Sequence, residues 1–264
     1  MILYLFLSHL AVGIFLTLFF VSKDAGVKFF RFNAGLAAIL LVVAVAFHPG
    51  EDAGRLAELA FATLLVCGAA VVFYWATVGR VLAAIRPAIL AIGGLAGIVS
   101  VVAQAMAVSS ESGLTTQALA VASFLSSVAL LGGACTAMVL GHWYLVIPSM
   151  QVSHLQSIVK LHIVSMVLRI VVVGAAVFVA IVSWQPGLGL PSFSHYITSV
   201  SGVFFWQRVL FGLAGPAVLS YLTWETAKIR STQSATGILY VDFFTVVVGE
   251  VLAKYLLLAT RVPV

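Results

Sequence analysis

The chain has 264 residues, of which 63% are apolar and only 8% are Asp, Glu, Lys or Arg. A soluble domain averages about 45–50% apolar and about 25% charged residues, so this composition excludes a soluble globular enzyme and a disordered chain. The formal net charge of +5 is spread over the sequence without a run of basic residues, which excludes nucleic-acid recognition by a basic stripe.

Eight apolar stretches are each long enough to cross a bilayer, which requires about 20 mostly apolar residues. They lie at about 2–22, 32–48, 56–79, 87–108, 116–147, 155–184, 203–225 and 237–260. Backbone polar groups in lipid must be bonded internally, and the stretches lack the alternation of barrel strands, so we predict helices. The predicted fold class is all-α: a polytopic membrane bundle of eight transmembrane helices, forming one domain over residues 1–264.

Basic residues are concentrated in alternate loops. The first, third and seventh loops contain Lys23, Lys28, Arg31, Arg80, Arg86, Lys228 and Arg230, whereas the second, fourth and sixth contain only Arg55. Because basic loops remain in the cytoplasm, we expect an inner (cytoplasmic) membrane protein with both termini on the outer side. The first stretch has no basic residue before it and no small-residue cleavage pattern, so we expect it to be retained.

Ionisable residues inside these stretches are the candidates for function, because each costs at least about 2.5–3.5 kcal/mol at bilayer depth. Counting along the helices places them in three layers. The layer nearest the cytoplasm contains His142, His154, Lys160, His162 and Asp242. The midplane contains Arg169 and Glu250, and the outer half contains His9, Arg208 and Lys254.

Arg169 and Glu250 have opposite charges at matched depth on different helices, which predicts a buried ion pair. Glu250 and Lys254 are four residues apart and share a helix face. The alternative interpretation is that such pairs only hold the helices together.

His162, Ser165 and Arg169 form a polar stripe at i, i+3 and i+7 on one helix. Such a stripe suits hydrogen bonds to the carbonyl oxygens of a quinone, and it equally suits proton transfer. A b-type haem is a further alternative, because two histidines on different helices at similar depth can ligate its iron. His142 and His162 meet that depth condition and are the candidate metal ligands.

The candidate residues therefore fall into two overlapping groups. The candidates for proton or electron chemistry are His142, His162, Asp242 and Glu250. The candidates for binding a quinone or haem are His142, His154, Lys160, His162 and Arg169.

The span number, the chain length and the buried His, Arg and acidic residues together resemble the membrane-anchor subunits of the polysulfide-reductase and dimethyl-sulfoxide-reductase type. The resemblance implies a menaquinone or ubiquinone site lined by a few buried polar groups. It also implies partner subunits that carry iron–sulfur and catalytic centres, so that this chain is a non-catalytic or quinone-reactive subunit of an oxidoreductase.

Two other classes of protein remain open. A secondary transporter of a small solute or ion also keeps midplane charges such as Arg169 and Glu250. A scaffold subunit of a larger membrane complex is the other alternative, although it needs few buried charges and this chain has several.

Overall fold

The computed structural model describes residues 1–50, 54–80, 83–147, 150–183 and 192–264. Within these ranges the chain is helical and contains no strand. The α-helices are α1 (Ile2–Thr17), α2 (Gly26–Ala46), α3 (Gly54–Thr77), α4 (Arg86–Val108), α5 (Leu114–Val146), α6 (Val152–Val182), α7 (Phe193–Thr198), α8 (Val203–Val209), α9 (Gly215–Lys228) and α10 (Thr232–Thr260). The predicted all-α class is confirmed for the described chain.

Seven helical segments of the described chain are long and apolar enough to cross a membrane. They are Lys23–Ala46, Gly54–Thr77, Arg86–Val108, Leu114–Val146, Val152–Val182, Val200–Lys228 and Thr232–Thr260. The sequence predicts eight such helices, and the first is the one that falls short. Helix α1 has 16 residues, or about 24 Å, compared with a hydrocarbon core of about 30 Å.

The first predicted span extends to residue 22, but helix α1 ends at Thr17. Residues 18–20 form turns, and the side chain of Ser22 then accepts a hydrogen bond from the backbone of Asp24. That cap begins a short 3-10 turn, Lys23–Ala25, which leads directly into α2. Apolar composition alone does not reveal this ending, because Leu18 to Val21 are as apolar as the helix before them.

The seventh predicted span is a broken helix. A π-helical turn, Leu210–Ala214, separates α8 from α9, and Pro216 follows it immediately. Proline has no N–H to donate and its ring clashes with the preceding turn, so a regular α-helix cannot run through this point. π-turns occur frequently at functional sites. Gly212, in the middle of this one, lies four residues after Arg208, whose side chain is buried.

Two glycine contacts bring helices unusually close together. A Cβ atom on Gly132 of α5 would lie 2.6 Å from the Cα of Gly13 in α1. A Cβ atom on Gly212 in the π-turn would lie 2.7 Å from the Cα of Gly249 in α10. Only glycine allows backbones to approach this closely, so these residues determine how α1, α5, α10 and the π-turn are placed.

Two glycines of α4 also allow close packing, in this case against α1. A Cβ atom on Gly93 would lie 2.7 Å from the ring of Phe15, and one on Gly97 would lie 2.8 Å from Val12. Helix α1 is therefore held between α4 and α5, with most of its side chains buried.

The polarity of the molecule is inverted relative to a soluble protein. Large apolar side chains such as Ile39, Leu95 and Phe178 are each more than 60% exposed, while ionised side chains are buried. An apolar outer surface of this kind suits a lipid bilayer.

The bundle has two distinct ends. One end, called the terminal end here, holds Met1 and Arg261, which line the same pocket. The other, called the basic end, holds Lys228 and Arg230, which line a pocket of about 740 Å³.

Candidate functional site

Glu250 lies at the centre of a buried ionic cluster. Arg169 donates from Nε to Oε1 at 2.9 Å and from Nη2 to Oε2 at 3.2 Å. Arg208 donates from Nη2 to Oε1 at 3.0 Å, and the Lys254 Nζ lies 3.5 Å from Oε2. All four residues are at most 2% exposed. The predicted pair of Arg169 and Glu250 is therefore present, as part of a larger cluster.

The guanidinium of Arg169 is fully bonded. Its Nη1 donates to the carbonyl of Ser123 at 2.9 Å, to the hydroxyl of Ser123 at 2.7 Å and to the hydroxyl of Ser126 at 3.3 Å. With its two bonds to Glu250, this charge has the hydrogen bonds that a buried cation needs.

Ser127 links the cluster to helix α1. Its hydroxyl donates to Oε2 of Glu250 at 2.5 Å and accepts from Nζ of Lys254 at 2.8 Å. The Nδ1 atom of His9 lies 3.4 Å from the same hydroxyl. The Nζ atom of Lys254 also lies over the ring of Phe124, 5.1 Å from the ring centroid, which is a cation–π distance. Helices α1, α5, α6, α8 and α10 thus all contribute to one buried site.

The glycine contacts explain why these side chains meet. Gly249 precedes Glu250, and its contact with Gly212 draws the carboxylate towards Arg208, one helical turn before Gly212. A Cβ atom on Gly212 would overlap the guanidinium of Arg208. Any larger residue at position 212 would displace the arginine from the carboxylate.

The cluster carries more positive than negative charge. Arg169, Arg208 and Lys254 all contact the one carboxylate of Glu250. Within the described part of the chain, Nε and Nη1 of Arg208 have no hydrogen-bond partner although they are buried. Unpaired buried donors are rare in proteins and call for a functional explanation.

A second buried pair lies closer to the basic end. The Nε2 atom of His162 is 2.6 Å from Oδ2 of Asp242, and both side chains are 0% exposed. The contact lies outside hydrogen-bonding angles, and Nδ1 of His162 and Oδ1 of Asp242 also lack a partner among the described residues. Asp242 precedes Glu250 by eight residues, which is about 12 Å along α10, so this pair is separate from the cluster.

His142 does not join either buried group. Its side chain is exposed at the end of α5, and its Nδ1 lies 3.1 Å from the hydroxyl of Tyr240. His162 packs beside Gly133, nine residues before His142 on α5, so the two histidines differ in height by about 13 Å. The structure thus does not bring these two predicted haem ligands together. The described residues contain no group of three or more His, Cys, Asp or Glu side chains suited to a metal ion.

The remaining candidates from the inner layer make their contacts outside the two buried groups. Nε2 of His154 lies 3.0 Å from Oδ2 of Asp24, in the turn after α1. Nζ of Lys160 lies 5.1 Å above the ring of Trp224 on α9. The structure thus brings together only His162 and Asp242 from the predicted inner layer.

Three serines of α5 also belong to the site and were not predicted from the sequence. Ser123, Ser126 and Ser127 form a polar strip in an apolar helix, which is the available signal. That signal is weak, because a serine in a helix commonly bonds to its own backbone, as Ser165 does to the carbonyl of Leu161.

Comparison with known proteins finds no family, no curated protein and no solved structure that matches this chain.

Proposed function

We propose that the chain is an integral membrane subunit of an electron-transfer complex and that it exchanges protons with a membrane quinone at His162 and Asp242. The observation that carries the proposal is the buried imidazole–carboxylate contact of 2.6 Å, with a free nitrogen on one side and a free oxygen on the other. An imidazole next to a carboxylate can both donate and accept protons.

The proposed chemistry divides between this chain and its partners. Reduction of a quinone to a quinol takes two electrons and two protons. Partner subunits with iron–sulfur centres would supply the electrons, and His162 would give a proton to a quinone oxygen. The Asp242 carboxylate would stabilise the imidazolium before each of the two proton transfers, and a proton taken up from water would restore the imidazolium after each. Phe243, partly buried beside Asp242, offers an apolar wall for the quinone.

We further propose that the chain crosses an inner membrane eight times, with both termini outside. Support comes from the course of the first segment: Tyr4 lines the pocket at the terminal end, and Asp24 reaches His154 towards the basic end. Helix α1 and the turn after it therefore run the length of the bundle although α1 itself is short. The basic residues of the predicted cytoplasmic loops include Lys228 and Arg230 at the basic end, which favours that end for the cytoplasm.

Photolabelling tests the quinone site on the purified chain without its partners. An azido-quinone should label peptides that contain positions 162 and 242, and excess quinone should compete with the labelling. His162→Ala and Asp242→Asn should reduce labelling at least about ten-fold, whereas Ser157→Ala, on the exposed side of the same helix, should leave it unchanged.

Turnover tests the proposed role in the assembled complex. Membranes from cells that express His162→Ala or Asp242→Asn should lose most of their quinol-linked electron transfer. Turnover within a factor of two of wild type in both variants would contradict the proposal.

Transport is the second candidate function, and the broken span favours it. Interrupted helices with charged groups near the midplane are typical of secondary transporters. The π-turn and Pro216 interrupt a span next to Arg208, in a cluster with excess positive charge that suits a small anion. Anion uptake into liposomes containing the purified chain would favour transport over quinone exchange if Arg208→Gln abolished it.

A further inference from the structure

A pocket of about 520 Å³ opens at the terminal end of the bundle. Its polar lining includes Tyr4, His48, Gln104, Glu111 and Arg261. Titratable side chains at the mouth of a pocket favour water and protons over an apolar ligand.

Gln104 connects this pocket to the interior. The residue lines the pocket but is only 2% exposed. Its Oε1 accepts a hydrogen bond from the Ser8 hydroxyl at 3.4 Å, and its Nε2 donates to the Ser100 hydroxyl at 3.2 Å. Ser8 is fully buried and adjoins His9 in α1, so polar side chains continue inward from the pocket.

His9 is the next polar group along this line. Its ring is 0% exposed and packs edge-on against Phe124, with ring centroids 4.7 Å apart. Nδ1 faces the hydroxyl of Ser127 and the ring also interacts with the side chain of Gln104, whereas Nε2 is buried outside hydrogen-bonding geometry with any described residue. Buried polar atoms of this kind are usually satisfied by ordered water. The pocket lies one helical turn away, because Leu5, four residues before His9, lines it.

Ser127 completes the connection to the midplane. Its hydroxyl bonds to both Glu250 and Lys254 at 2.5 and 2.8 Å. The other charged groups that face this point are Arg169 and Arg208, which also bond the carboxylate. The connection from Gln104 to Glu250 therefore consists of polar side chains on α1, α4, α5 and α10.

The corresponding connection towards the basic end is interrupted. Between Glu250 and Asp242 the buried face of α10 presents Val246, which is 0% exposed, and Gly249. The hydroxyl of Thr245 is already bonded to the carbonyl of Asp242 at 2.8 Å. On α6 the only polar side chain between Arg169 and His162 is Ser165, and its hydroxyl is bonded to the carbonyl of Leu161. The polar side chains bonded to the cluster thus lead to the terminal end.

We infer that this line is a proton half-path, which connects the pocket at the terminal end through His9 and Ser127 to Glu250 and Lys254. For release, the Ser127 hydroxyl first turns from Oε2 of Glu250 towards His9. A proton then passes from Nζ of Lys254 to Oγ of Ser127 while the hydroxyl proton passes to Nδ1 of His9. Nε2 of His9 then gives its proton to water that enters from the pocket, and uptake follows the reverse order. This site is separate from the proposed quinone pair and does not depend on it.

Cysteine accessibility from each side of the membrane tests the half-path without knowledge of the function. The background is the full chain with Cys67→Ser and Cys135→Ser, and the probe is silver nitrate, whose ion is small enough for a narrow water path. Ser8→Cys and Ser127→Cys report on the path. Ser110→Cys marks the terminal end, Ser153→Cys marks the basic end, and Thr136→Cys is a buried control off the path.

We expect silver ion to react with the cysteines at positions 8 and 127 when it is added on the side of the membrane from which it also reacts with position 110. Their reaction rate should be at least ten times the rate measured when silver ion is added on the side of position 153. Position 136 should react from neither side. Gln104→Phe should slow the reaction at position 127 at least ten-fold and leave position 110 unchanged.

Two results would overturn the inference: reaction of position 127 from the side of position 153, or no reaction at 127 and 8 while 110 reacts. Because Ser127→Cys removes a bond to Glu250, each variant is first checked for a monodisperse elution profile. Ser8→Cys carries the same expectation if Ser127→Cys does not fold. The marker residues define sidedness directly, so the result is independent of the proposed orientation and of the quinone site.

Discussion

Glu250 is bonded by three cationic side chains, so the effect of a substitution depends on which member of the cluster is removed. Loss of Arg169 leaves the carboxylate with Arg208 and Lys254 as partners. Loss of the carboxylate leaves three buried cations without a counter-charge. The cluster is therefore asymmetric, and its stability depends most on the single acid.

We expect Glu250→Gln to destabilise the folded chain by about 3–5 kcal/mol, which is the usual effect of breaking a buried pair. Arg169→Met should destabilise it less, because two cations remain. Unfolding in detergent or bicelles measures both values. The exposed pair of Glu225 and Lys228 is the control, since Lys228→Ala should change stability by less than about 1 kcal/mol. A smaller loss for Glu250→Gln than for Arg169→Met would contradict the asymmetry.

A double-mutant cycle tests the contact between Arg169 and Glu250 itself. Residues in one buried network couple by about 0.5–3 kcal/mol, so Arg169→Leu combined with Glu250→Leu should cost less than the sum of the single variants. The comparison uses the same unfolding measurement. Strictly additive losses would mean that the two side chains do not interact in the folded chain.

At the scale of helices, close glycine contacts place the polar side chains. Gly132 sets α5 against α1, and Gly249 sets α10 against the π-turn. In both cases the neighbouring backbone, rather than a flexible side chain, occupies the space where a Cβ atom would lie. Backbone cannot yield without moving a whole helix, so these positions should not tolerate alanine.

Alanine at Gly132 or Gly249 should therefore lower the yield of folded, monodisperse protein several-fold. Overpacking of this kind typically costs about 1–3 kcal/mol and more where backbone must shift. Gly174→Ala in α6 is the matched control, because a Cβ atom there meets nothing within 4 Å. It should be neutral or stabilising by up to about 1 kcal/mol, since alanine is the better helix former. Equal yields for all three variants would show that these contacts do not determine the packing.

At the scale of the whole molecule, the two ends of the bundle should lie on opposite sides of a membrane. Ser112 lies near the pocket at the terminal end and Ser231 near the pocket at the basic end, and both are partly exposed. An impermeant maleimide added to intact cells should label Ser112→Cys, and should label Ser231→Cys only after permeabilisation. The reverse pattern would contradict the proposed orientation, and labelling of both from outside would contradict the eight crossings.

Much of the fold follows from the sequence because lipid leaves the backbone few choices. Long apolar stretches must form helices that bond their own backbones, and seven of the eight predicted stretches contain helices of sufficient length. The predicted ends differ at two helices: α1 ends early at Thr17, and α10 begins at Thr232, five residues before the expected start.

The candidate site was only partly predictable. Depth can be counted along a helix, so the pairing of Arg169 with Glu250 follows from matched height and opposite charge. Depth does not reveal which direction a side chain faces around its helix. His142 and Asp242 have similar predicted depth, yet one is exposed beside Tyr240 and the other is buried against His162.

The sequence by itself therefore determined the helical class, the apolar outer surface and the presence of buried charges of both signs, which must pair. The tertiary structure decided which partners they found: Arg208 and Lys254 on the same carboxylate, and Ser127 between that carboxylate and His9. The physical reason is that helix rotation and spacing depend on contacts between distant residues, such as Gly212 with Gly249. Those contacts are decided by packing in three dimensions, which no local pattern in the chain records.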